Sequence, residues 1–148
     1  MRSISLLITA GTLAAAPVLR AQAPTPPPTR PSAQMPQQLP FSQAVRAGNL
    51  LFISGTLGTT ESGLVPGGIE AETRQTMDNI KRIVEQNGAT MDNVVKCLVM
   101  LADMSEWGRM NSVYVTYFPN RKPARSAFGA SGLALNARVE IECIAELR

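Results

Sequence analysis

The stretch RVEIECIAE, residues 138–146, alternates from Arg138 to Cys143. Val139, Ile141, Cys143 and Ala145 fall on one side, and Arg138, Glu140 and Glu142 on the other. A period of two is that of a β-strand with one face in a core and one face carrying charge. Upstream, residues 124–130 (ARSAFGA) read as a second strand, joined to the first by 131–137. Residues 94–101 (VVKCLVML) are apolar and β-branched, a third strand. Between them, Ser105 can cap a helix that presents Trp107, Met110, Tyr114 and Tyr117 or Phe118 and stops at Pro119. Before residue 94 the period changes. Ile69, Thr73, Met77, Ile80 and Val84 recur at three- and four-residue spacing, Glu70 and Glu72 occupy the first turn, and Gly88 ends the helix. Glu70–Arg74 and Asp78–Arg82 are i,i+4 pairs on its surface. Residues 55–68, rich in Gly, Thr and Ser, read as a loop, and 42–46 with 50–54 read as two strands around Ala47-Gly48-Asn49.

The order ββαβαββ predicts an α+β sandwich with two helices packed on one face of a sheet. The other face is then half-apolar, carrying Leu50 or Leu51, Phe52, Leu98 and Met100. Such a face in a small domain is commonly covered by another subunit.

Composition narrows the chemistry. The 148 residues include two Cys and no His. That excludes Ser-His-Asp and Cys-His machinery, HExxH zinc sites and an imidazole base. Two Cys are too few for a Cys-rich structural zinc site. The net charge of +3 belongs to the leader: residues 1–40 contain Arg2, Arg20 and Arg30 and no acid, while 41–148 contain 11 basic and 11 acidic residues. A neutral folded unit without a Lys/Arg stripe lacks the footprint of a nucleic-acid binder.

Residues 1–23 read as a signal peptide. Arg2 opens it, an apolar stretch of about 16 residues follows, and Ala21-Gln22-Ala23 supplies a small-x-small cleavage pattern. The stretch is broken by Gly11, Thr12 and Pro17 and is shorter than the roughly 20 residues of a membrane span. The expected location is therefore exported, periplasmic or secreted, with no membrane attachment after cleavage. Residues 24–40 form a Pro-rich linker too polar to bury a core, which leaves 41–148 as the folded domain.

Five segments, FSQAV (41–45), LLFISG (50–55), VVKCLVMLADM (94–104), KPARS (122–126) and VEIECIA (139–145), closely resemble, in order, the RidA/YjgF family of reactive-intermediate deaminases. The resemblance implies a chorismate-mutase-like α+β fold, a homotrimer with ligand sites between subunits, and no metal or organic cofactor. It further implies hydrolysis of 2-imino acids such as 2-aminoacrylate/2-iminopropanoate to 2-oxo acids and ammonia. By the same resemblance, Arg125 holds the substrate carboxylate, a task suited to a permanently charged two-pronged donor. Glu140 positions the attacking water, Ser54 and Gly55 line the pocket, and Asn111 is a polar residue on the second helix near it. Two positions depart from the commoner pattern. Phe41 stands where many members have Tyr, keeping an apolar wall but no hydroxyl, and Ala127 stands where some have Cys.

Other readings of the same residues remain open. Arg125 also suits a strand-edge or interface arginine, and Glu140 a solvent-facing residue like Glu142. Ser54 has no base to activate it, so it serves as a hydrogen-bonding group or a strand end. Trp107, Tyr114 and Tyr117 read as a packed helix face, and the methionines as core filler. Cys97 and Cys143 lie mid-strand, which favours buried thiols over a bridge, although export favours oxidation. At the level of function, a non-catalytic trimer binding small carboxylates, a chaperone-like protein and the ribonuclease activity credited to some members compete with deamination. Ribonuclease chemistry is disfavoured by the neutral domain and the missing His.

Overall fold

A computed structural model of the chain describes residues 39–147. The expected signal peptide, and the linker up to residue 38, lie outside the described residues.

Five strands form one sheet: β1 (Ala44–Ala47), β2 (Leu50–Leu57), β5 (Val94–Leu101), β6 (Ala124–Gly129) and β7 (Val139–Glu146), in the order β1-β2-β7-β5-β6. All neighbours are antiparallel except β5 and β6, so the sheet is mixed. The last strand in sequence thus takes the central place, paired with β2 on one edge and β5 on the other. Helices α1 (Ile69–Gln86) and α2 (Trp107–Tyr114) pack on one face, as the element order predicts. Their apolar stripes meet the inward residues of the strands: Leu51 and Ile53 of β2, Val139, Ile141, Cys143 and Ala145 of β7, and Val94, Cys97, Val99 and Leu101 of β5. Met77, Ile80 and Val84 come from α1, and Met110, Tyr114 and Phe118 from α2 and the turn after it.

The opposite face is open in the protomer. Leu51 belongs to the core, and Phe52 turns the other way with 42% of its surface exposed. Phe128 at 46% and Val45 at 55% extend the apolar surface, and Leu98 and Met100 are half-buried there. Glu140 and Glu142 share this face, because they alternate with the buried residues of β7.

Three local expectations change. Residues 55–68 are not a plain loop. A bulge between Ile53 and Thr56 lets β2 run on to Leu57, and β3 (Thr59–Thr60) pairs with β4 (Gly63–Leu64) in a small hairpin. Glycine here reflects close packing as much as a turn: a Cβ on Gly58 would lie 2.6 Å from the backbone oxygen of Glu72. Asn79, on the buried side of α1, secures the same region by donating from Nδ2 to the backbone oxygens of Leu57 (3.0 Å) and Thr59 (2.9 Å). Second, the cap before α2 is Asp103, whose carboxylate accepts from the Ser105 N–H at 2.8 Å. A 3-10 turn (Met104–Glu106) separates that cap from an α2 of eight residues.

Third, Cys97 and Cys143 form a disulfide rather than two thiols. They are directly opposed on β5 and β7, with Cα atoms 4.1 Å apart. Narrow antiparallel pairs bring side chains closest together, so mid-strand placement permits a bridge when register makes the residues partners. Both sulfurs are buried under the helices. The bridge closes a loop of sequence separation 46, for which loop-closure entropy gives roughly 4 kcal/mol. The double substitution C97A/C143A is expected to lose stability of that order in urea unfolding while keeping the fold, and reductant should lower the midpoint of the wild type but not of the variant.

Candidate active site

Arg125 lies on β6 opposite Cys97 of β5, and this register points it to the helix-covered face at the edge of the sheet. There it meets α2. Nη1 donates to Asn111 Oδ1 at 2.6 Å. The guanidinium carbon stands 4.7 Å from the centre of the Tyr114 ring and 5.8 Å from that of Trp107. Trp107, Asn111 and Tyr114 follow at i, i+4 and i+7, one stripe of a helix. Among the described residues no carboxylate lies within ion-pair distance of Arg125. The cation is held by a neutral amide and two aromatic rings, and its other donors remain free. They face a cavity of about 570 Å³ that is also lined by Lys122, Val115 and Phe118. A half-buried Arg125 beside an exposed Lys122 in an apolar setting suits a small anion with an apolar tail.

The aromatic groups here are more than packing. Tyr114 is 7% exposed, as a core residue should be, but its ring also lies against the guanidinium. Trp107 is 43% exposed and projects beside Arg125 instead of into the core. Burial pushes the Tyr114 phenol up to about 12, opposed by the weaker pull of Arg125, so the ring stays neutral at physiological pH. The sequence signal for this cluster was available in the 107, 111, 114 spacing, but the partner strand could not be read from it.

Salt bridges fix α2 in place. Arg109 binds Glu70 of α1 through Nε (2.7 Å) and Nη2 (2.5 Å), which holds the Glu70 carboxyl below its ordinary range. Glu106 accepts from Arg138 Nη1 at 2.7 Å, and the buried Glu72 carboxylate accepts the Arg138 backbone N–H at 2.7 Å. The start of β7, the start of α2 and the first turns of α1 are tied together.

The other expected site residues lie elsewhere. Glu140 sits on β7 and faces the open side of the sheet, against Gly55 of β2. A Cβ on Gly55 would collide with the Glu140 carboxylate, so glycine at 55 is what allows that carboxylate its place. Ser54 donates from Oγ to the backbone oxygen of Ser42 at 2.7 Å, tying the entry segment to β2. Its hydroxyl is engaged with the backbone. Phe41 is 54% exposed and lines a second cavity of about 590 Å³ with Ser54, Gly55 and α1 residues Asn79 and Arg82. The structure therefore brings Arg125 and Asn111 together, Glu140 with Gly55, and Ser54 and Gly55 with Phe41. It does not join Arg125 to Glu140, because the sheet stands between them within one protomer.

Comparison with known proteins fits this architecture. The profile of the family described as Endoribonuclease L-PSP matches residues 32–147. The chain belongs to the RidA/YjgF family. The mouse protein named 2-iminobutanoate/2-iminopropanoate deaminase is 44% identical over 108 residues, spanning 72% of this chain and 80% of that protein. The Arabidopsis thaliana protein named Reactive Intermediate Deaminase A, chloroplastic, is 44% identical over 110 residues, which is 73% of this chain but 59% of that longer protein. Among solved structures, the E. coli YjgF gene product aligns with a TM-score of 0.71 at 33% identity, covering 75% of this chain and 91% of that one. The mixed sheet with two helices on one face is thus the fold of this RidA/YjgF protein.

The contact between Gly55 and Glu140 yields a test. In Gly55→Ala the carboxylate, being the end of a flexible chain, can swing aside. The variant is expected to stay folded, at a cost of about 1 kcal/mol, the low end for small-to-large changes because only a flexible side-chain end must move, yet to turn over poorly. Thermal unfolding alongside an imine-hydrolysis assay checks both halves. Unimpaired turnover would show that the position of Glu140 does not matter.

Proposed function

We propose that this protein is an enamine/imine deaminase that hydrolyses 2-imino acids, such as the 2-aminoacrylate/2-iminopropanoate pair, to 2-oxo acids and ammonia. The relatives that carry the deaminase name, at 44% identity, support the reaction class. The observation that carries the reading to a site is Arg125: a guanidinium with no acidic partner among the described residues, directed at a cavity. It clamps the substrate carboxylate through paired charge-assisted hydrogen bonds. Glu140 holds and deprotonates the attacking water. Water adds to the protonated imine carbon to give a carbinolamine. Glu140 returns the water proton to the amino nitrogen and then takes the hydroxyl proton as the C=O bond forms; the C–N bond breaks, ammonia leaves and carries that proton off as ammonium, and the 2-oxo acid is the other product. Because the imine carbon is already electrophilic, orientation and proton transfer are the main contributions asked of the protein.

Arg125 and Glu140 lie on opposite faces of their own sheet, so a site using both is completed across a subunit boundary. The open apolar face with Phe52, Phe128 and Val45 is the surface for that assembly, a homotrimer with Arg125 from one protomer and Glu140 from its neighbour. Phe41 is the feature that favours the second reading, capture of small carboxylates without turnover, since it offers no hydroxyl to substrate or water. The 11 acids matching 11 bases in residues 41–148, with no His, speak against RNA cleavage.

Export is the proposed location. The leader of residues 1–23 supports it, and so does the Cys97–Cys143 bridge, because oxidised cysteine pairs persist outside reducing compartments. The exported protein is expected to begin at Pro24 and to carry no free thiol. N-terminal sequencing and intact mass of the protein from its native host check this, and recovery with residues 1–23 attached would count against it.

Arg125→Ala should abolish accelerated hydrolysis of 2-iminopropanoate generated in situ, with the fold intact. Glu140→Gln should lower kcat by roughly 10²–10⁴, the usual worth of a positioned acid–base group, with KM little changed. Unfolding the two inactive variants together and refolding them as mixed trimers should restore part of the activity, because some sites then receive Arg125 and Glu140 from different chains. No recovery in mixed trimers would show that the two residues do not serve one shared site.

A further inference from the structure

The stripe of α2 that meets Arg125 continues into the core. Trp107, Asn111, Tyr114 and Phe118 follow at intervals of four, three and four, along one side of the helix and the turn after it. Phe118 is fully buried, and its ring lies 5.0 Å from that of Tyr114 at a tilt of 48°. Tyr114 is therefore wedged between the core and the guanidinium, and cannot turn without moving Phe118. Its hydroxyl is buried with no hydrogen-bond partner among the described residues. What Tyr114 offers Arg125 is consequently the ring face. A cation above an aromatic face is attracted to it, and more strongly where water is excluded.

We propose that Tyr114 is a positioning residue for the Arg125 clamp: its ring, backed by Phe118, sets the plane of the guanidinium, while Trp107 closes one flank and Asn111 holds Nη1. This rests on Arg125 being the carboxylate clamp. An unsupported arginine side chain has several rotatable bonds to freeze when a ligand arrives, and that ordering weakens binding. On β6 the side chain is ordered beforehand, with its free donors turned to the cavity. Asn111 thereby acts on the substrate through Arg125. The effect falls on binding, because Glu140 and its water belong to the other half of the site.

The test measures KM and kcat for 2-iminopropanoate generated in situ, and calorimetric binding of the product-like 2-oxobutanoate, for wild type, Tyr114→Phe, Tyr114→Leu and Trp107→Leu. Phe keeps the ring and removes only the unpartnered hydroxyl, so KM and Kd should stay within about twofold of wild type. Leu removes the ring face; KM and Kd should rise roughly tenfold with kcat within about twofold, in line with a desolvated cation–π contact. Trp107→Leu, at an exposed position, should raise both by roughly threefold. A wild-type KM in Tyr114→Leu overturns the proposal, as does a Tyr114→Phe variant as impaired as the Leu variant. If Tyr114→Leu fails to fold, the other two variants decide, and an unchanged KM in Trp107→Leu overturns it. Wild-type protein that neither turns over the imine nor binds 2-oxobutanoate removes the clamp itself, an outcome distinct from a clamp that works without Tyr114.

Discussion

A strand that hydrogen-bonds along both edges cannot slip, and β7 is the strand on which this sheet depends. It pairs with β2 and with β5, so its alternation is imposed on its neighbours. Val139, Ile141, Cys143 and Ala145 must enter the core, and a shift of one residue would bury Glu140 and Glu142 instead. Carboxylates without partners are too costly in a core for that register to compete. The same alternation puts Glu140 on the open face and the bridge-forming Cys143 beneath the helices. Even the glycine at 55 follows from it, since β2 must pass close to the Glu140 carboxylate.

The Arg125 cluster is built at the sheet's other edge by different means. There the parallel pairing of β6 with β5 aims Arg125 at the helix side, and α2 supplies the groups that receive it. The short helix has few core contacts of its own along its outer side. Ion pairs from Arg109 to Glu70 and from Arg138 to Glu106 supplement its packing and set its position over β6. The two halves of the candidate site thus have separate structural origins, one in the central strand and one in an edge strand with its covering helix.

Much of the fold was legible because its elements are strongly periodic. The strand Val94–Leu101 and the helix beginning at Ile69 stand where their patterns put them. The β3–β4 hairpin was not legible, because glycines that permit close backbone approach look the same in sequence as glycines in a loop. The cap at Asp103 was obscured by the equally suitable Ser105. Cys97 and Cys143 become partners only through the register of β5 against β7, which no single strand reveals. The alternation of β7 gave away the face of Glu140, but residues 124–130 have no clear alternation, so the face of Arg125 was hidden. That the two lie on opposite sides of one sheet required the structure. Tyr114 was read correctly as buried, yet its second role depends on a neighbour 11 residues along the chain and across a loop.

The Cys97–Cys143 bond closes the chain into a ring, and the contents of that ring are selective. All of α2, β6 and the turn between them lie inside it, together with Arg125, Asn111, Tyr114 and Glu140; Phe41, Ser54 and Gly55 lie outside. A protease that cuts the exposed segment around Gly132 would open the ring without releasing a fragment, since both pieces stay joined through sulfur. Arg125 and Glu140 would then remain in one covalent unit after a cut that separates them in sequence.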